Sequence, residues 1–196
     1  MKLLLYCIKA KPYLYDDRIT QGGYNAWYIK NNFQDSVNGK IIAECDFDVE
    51  PITDDRLARA ISDELFFVER DHLLKDSSLT GEEIKKYLNF YNWKFEKQDK
   101  VVGYAIKLKN IHVFDEAKNL NEYMNGKFEE WDYRDLYELE KAPKNMQYVS
   151  TWGCDEISMW GSTYILASVR PDNLCRILNG DKTIEVRKKV LKGMCK

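Results

Sequence analysis

At 196 residues, with 44% hydrophobic and 13% aromatic side chains, the chain has enough apolar mass for one well-filled core and is small for two. Its 30 lysines and arginines stand against 32 carboxylates, a formal charge of −2, which excludes the global basic field of a nonspecific nucleic-acid binder and leaves only local contacts. Five cysteines, an odd number with no C-x-x-C, and two histidines give no disulfide framework and no ligand spacing for a metal, so reduced thiols are expected and neither metal nor cofactor.

The opening MKLLLYCIKAK is too short an apolar run for a signal peptide, and no run approaches a membrane span. The expectation is a cytoplasmic protein without a membrane partner. Residues 3–8 read as a buried strand, closed by a basic turn in which Tyr6, Lys9, Lys11 and Tyr13 cluster around Pro12. Residues 14–38 hold no period but several aromatics, as a self-packed loop or a lid does.

Residues 40–50 alternate cleanly, with Ile41, Ala43, Cys45, Phe47 and Val49 on one face and Ile42, Glu44, Asp46 and Asp48 on the other, which predicts a strand. Asp54 or Asp55 caps a helix running to about residue 67, with Leu57, Ile61 and Leu65 on one stripe. T-G-E-E from Thr80 is a capping box that opens a second helix, striped by Ile84, Tyr87, Leu88 and Tyr91. His72, between them, reads as a loop histidine.

Residues 103–114 begin with Tyr104, Ile106 and Leu108 on one face and resume with Ile111 and Val113 on the other parity, so a bulge or bend is expected near Asn110. Residues 115–142 are acidic and aromatic and read as a short helix plus a surface segment. A short strand is expected at 146–149, and 151–164 reads as a connector.

The final stretch carries the chemistry. Residues 165–169 are a short apolar strand, Pro171 suits the first position of a two-turn helix, and Gly180 suits its left-handed end. Residues 182–188 then alternate, with Ile184 and Val186 on one side and Thr183, Glu185 and Arg187 on the other. Residue types alone allow either an exposed strand with a surface ion pair or, if something covers that face, a compact polar pocket wall.

The run LNGDKTIEVRK resembles the signature of the ASCH domains, members of the PUA-like barrel superfamily, in which G-x-K-T-x-E-x-R lies on a strand lining a cleft. LLYCIKAKPYL (4–14), NGKIIAECDFDVEPI (38–52), VGYAIKLKNIHVFDEAKNLNEY (102–123) and KAPKNMQYV (141–149) are similar to the larger, phage- and bacterium-associated branch of that family. There the K-T-x-E-x-R strand comes first. Here residues 165–196 match the family's beginning and 1–149 the remainder, with 151–164 joining the old ends, as in a circular permutant. The resemblance implies a single α+β domain over 1–196: a small mixed β-barrel with flanking helices, its strand order rotated and its two termini close together.

It also implies one ligand site, in which Tyr6, Lys9 and Lys11 on an adjacent strand and turn meet Lys182, Thr183, Glu185 and Arg187. Such a site suits RNA or a modified nucleotide: the ring stacks on a base, Glu185 accepts from an amino group and the cations hold phosphate. An enzyme acting on RNA or nucleosides is the alternative. As a ribonuclease it would use Glu185 as base, with Lys182 or Arg187 stabilising charge. As an N4-acylcytidine amidohydrolase it would keep the family's lysine at Lys182, but Glu185 stands where that group has its threonine. A third reading is a protein-interaction or defence-related module using the aromatic loop or the acidic segment.

Overall fold

The computed structural model describes residues 1–8, 39–62, 72–90, 100–126, 138–151 and 162–195. The basic turn at Lys9 and Lys11, the aromatic loop 14–38, Leu65, Tyr91, the aromatics Trp131, Tyr133 and Tyr137, most of the connector and Lys196 lie outside these residues, and with them the expected meeting of the termini. In order, the elements are β1 (Lys2–Cys7), β2 (Ile41–Thr53), α1 (Asp54–Ser62), α2 (Leu73–Ser77), α3 (Gly81–Leu88) and β3 (Val101–Lys118). After a 3-10 turn at Leu120–Glu122 come β4 (Met124–Asn125), β5 (Met146–Ser150), β6 (Thr163–Val169), α4 (Pro171–Leu178) and β7 (Ile184–Arg187).

The fold is mixed α+β. Its seven strands form one sheet in the order β4-β5-β6-β1-β2-β3-β7. This corrects the expected barrel: the order ends at β4 and β7, so the sheet is open. Closure needs a continuous hydrogen-bonded seam between the end strands, and these end strands have two and four residues, among the shortest seams a chain could offer. No helix among the described residues is long and apolar enough to cross a membrane.

The chain divides into two compact units, Met1–Asp46 with Lys109–Asn179, and Phe47–Leu108 with Gly180–Lys196. In the first, β1 is the centre. Leu3, Leu4, Leu5, Tyr6 and Cys7 are all buried, as a strand covered on both faces must be. β1 pairs antiparallel with β2 (Leu3↔Cys45, Leu5↔Ala43, with a register shift before Tyr6) and parallel with β6 (Leu3↔Ile165, Leu5↔Ala167). One face packs Leu4, Tyr6, Ile41, Val149 and Leu166 against Tyr123 and Leu139. α4 also packs on β1, burying Leu174, Cys175 and Ile177; Pro171 stands at its start, as expected.

The second unit is built on Ile52, Leu57, Leu73, Ile84, Leu88, Ala105, Ile184 and Val186. The capping box is present: the Thr80 amide donates to the Glu83 carboxylate at 2.8 Å, and the Glu83 amide donates to the Thr80 hydroxyl at 3.2 Å. β3 is longer than its pattern suggests and stays one strand through the parity change. Asn110, at φ +49°, absorbs the change there. Residues 115–118 continue β3 rather than starting a helix, with Asp115 and Glu116 exposed.

Candidate functional site

Within the second unit, the turn after α4 and the strand β7 place the charged residues. Gly180 takes φ +80°, a left-handed conformation that an L side chain would strain, and turns the chain toward β7. Two hydrogen bonds from α2 and the residue after it then pin the approach. The Ser78 hydroxyl donates to the Asp181 carbonyl at 2.8 Å, and the Thr183 amide donates to the Asp76 carbonyl at 2.8 Å. On the other side the Thr183 carbonyl accepts from the Leu108 amide at 2.8 Å. Lys182 is therefore held between two anchored residues.

β7 pairs antiparallel with β3, with Ile106 opposite Glu185 and Tyr104 opposite Arg187. Ile184 and Val186 enter the apolar core of the unit, and the two-residue period sends Glu185 and Arg187 to the other face. That face is not solvated. Lys182 is 3% exposed, Glu185 8% and Arg187 9%.

The three charges pair with one another, while Glu185 Oε2 and Arg187 Nε stay buried without a hydrogen bond. The Lys182 ammonium lies 2.8 Å from Glu185 Oε2, and Arg187 Nη2 lies 2.9 Å from Glu185 Oε1. The lysine contact falls off hydrogen-bond alignment, so it acts as a charge contact, whereas the charge pairing on the other oxygen comes from a planar guanidinium. Each carboxylate oxygen faces a different cation. One anion thus fixes two cations in a desolvated setting, where removing charge from water costs several kcal/mol per ion and only close pairing offsets it.

Lys182, Glu185 and Arg187 thus come together as a cluster. Thr183 is exposed and sits outside it, its backbone anchored as described. Tyr6 is buried in the core of the first unit, where burial raises its phenol above the usual range. It is not on a strand beside β7, because both edges of β1 are taken by β2 and β6, and β7 pairs with β3. Lys9 and Lys11 lie outside the described residues. Sequence reasoning missed Ser78 and Asp76, the anchors supplied by α2 and the residue after it; a short serine-rich turn distant in sequence carries no signal for that role.

Among the described residues, no three His, Cys, Asp or Glu side chains gather so as to hold a metal ion. Buried thiols do not fit nucleophilic duty either: burial pushes Cys7 and Cys45 up to about 12 and Cys175 up to about 11. Comparisons of the chain with protein-family models, curated proteins and solved structures return no match.

Proposed function

We propose that this chain is an ASCH-type, PUA-like module with an open sheet and rotated strand order, and that it binds RNA or a modified nucleotide at the polar face of β7. The observation that carries the reading is the burial of Lys182, Glu185 and Arg187 in one contact set. Stability alone does not call for it, since apolar side chains of similar volume generally serve as well or better in such a place. Recognition does: a lysine, a guanidinium and a carboxylate offer donors to phosphate or base oxygens and an acceptor for an exocyclic amino group. Glu185 acts as the internal anion that keeps both cations oriented and desolvated before the ligand arrives, so less ordering is left for the binding step.

Calorimetric titration with mononucleotides, modified cytidines and short single-stranded RNAs tests this, with product scored in the same samples. Binding without product is expected, weakened about tenfold or more by Arg187→Lys, which keeps the charge but loses the planar fork. Wild-type silence across the panel, or Arg187→Lys binding as wild type, refutes the reading. Product that disappears in Glu185→Gln would make the site catalytic instead.

A further inference from the structure

A carboxylate oxygen inside a protein normally holds hydrogen bonds, because a charged acceptor cut off from water and left without a donor is costly. Glu185 Oε2 departs from that rule: it is buried, and no donor among the described residues hydrogen-bonds to it. The Lys182 ammonium, 2.8 Å away and off alignment, supplies charge there but leaves the lone pairs unmet. Gln147 Nε2 and Asn179 Oδ1 are also buried without a hydrogen bond, but they belong to neutral amides, where the cost is smaller. A charged orphan points to a ligand, and an acceptor points to a donor.

A nucleotide has two parts that could enter such a site, its phosphate and its base. Phosphate is disfavoured twice. Each Glu185 oxygen already faces a cation, Oε2 on Lys182 and Oε1 on Arg187, so a phosphate drawn to either cation arrives beside a like charge. To reach these buried residues it must also shed its water, which costs an ion far more than a neutral ring. A base carries the missing donor: the exocyclic amino group of cytosine or adenine offers N–H bonds, one of which can point at Oε2. Uracil or hypoxanthine, with a carbonyl at that position, sets an oxygen lone pair against the carboxylate instead.

We infer that the β7 site takes the amino-bearing edge of a nucleobase, with Glu185 Oε2 as the acceptor, and leaves the phosphate outside the cluster. This deepens the reading of β7 as a nucleotide or RNA site and rests on it. Free nucleosides then suffice as ligands. The probes for calorimetric titration are cytidine with uridine, adenosine with inosine, cytidine 5′-monophosphate and inorganic pyrophosphate.

In whichever base pair of ligands binds, the amino member should bind about tenfold or more tightly than the carbonyl member, since a hydrogen bond to a charged group is exchanged for an acceptor facing an acceptor. Dimethylating the amino nitrogen should cancel that advantage. Cytidine and its 5′-monophosphate should bind alike, and pyrophosphate should not displace them. Glu185→Gln, whose amide can donate as well as accept, should erase most of the preference. Because that change also costs stability, the wild-type series decides without it. Equal binding of the amino and carbonyl members, or full preference kept by a folded Glu185→Gln, overturns the assigned acceptor. Pyrophosphate that competes, with nucleotides binding and nucleosides silent, overturns the choice of base over phosphate. In these cases the nucleotide reading of β7 stands, whereas silence of every nucleoside, nucleotide and RNA ends both.

Discussion

Glu185→Gln tests the buried cluster most directly, because it keeps the side-chain volume and removes only the charge. Lys182 and Arg187, 3% and 9% exposed, cannot turn to bulk water without opening the strand, so each loses its 2.8 or 2.9 Å anionic neighbour with little return from solvent. Removing one partner of a buried pair costs about 3–5 kcal/mol. In a chain of this size each kcal/mol moves the melting temperature by about 2–4 °C, so Tm should fall by roughly 6–20 °C. The assay is thermal unfolding followed by circular dichroism at low and high salt. A buried pair is screened little, so the drop should be nearly the same in both. Lys85→Gln, which removes an exposed pair with Glu82, is the control and should change stability by less than about 1 kcal/mol. If Glu185→Gln melts within about 2 °C of wild type, or if high salt abolishes the difference, the cluster is not desolvated and the argument for the site loses its base.

Two other outcomes follow from packing and from the thiols. A β-carbon at Gly103 would lie 2.7 Å from Leu88 Cδ2 and 3.2 Å from the Arg187 carbonyl oxygen, so Gly103→Ala should destabilise by about 1–3 kcal/mol, more than the entropy it removes from the unfolded chain returns. Chemical denaturation should show Gly103→Ala with Leu88→Ala costing clearly less than the two single changes together; strict additivity would show that Leu88 is not the obstacle. Cys7, Cys45 and Cys175 have folded values raised from 9 to about 12, 12 and 11, so the unfolded chain releases their protons first. Their contribution is therefore fully present below about pH 9 and is lost as pH rises through the folded values, each thiol removing up to about 1.4 kcal/mol per pH unit in that window. Cys45→Ala should make the alkaline fall in Tm shallower, and an unchanged slope would refute the assignment.

Some of this was written plainly in the residues. The alternation from Ile41 and the T-G-E-E run at Thr80 state their structures because each rests on local geometry: a two-residue period against one core, and a cap whose partners are three residues apart. The parity change around Asn110 likewise located the irregularity in β3. The alternation at Ile184–Arg187 placed Glu185 and Arg187 on a common face but could not say that the face was dry, because a charge normally signals solvent and only tertiary packing reverses that. Nor could it say which strand lay alongside: the expected meeting with Tyr6 depended on a pairing between distant segments, and β3 occupies that place. The open sheet escaped for a related reason, since closure turns on how many residues β4 and β7 give to pairing, and strand ends are the least determined part of a local pattern.

The parallel pairing of β1 with β6 sets a timetable for the chain. Leu3, Leu4 and Leu5 are made well before one edge of their strand can be completed, because that edge pairs with residues Ile165 to Ala167, about 160 positions later. At synthesis rates of about 5–20 residues per second, that edge stays open for roughly 8–30 s. For that interval β2 can pair with the other edge of this apolar, β-prone segment, while the β6 edge has no strand to pair with. Loop closure over this span must come before the β1–β6 edge can form, a non-local pairing of the kind that slows folding.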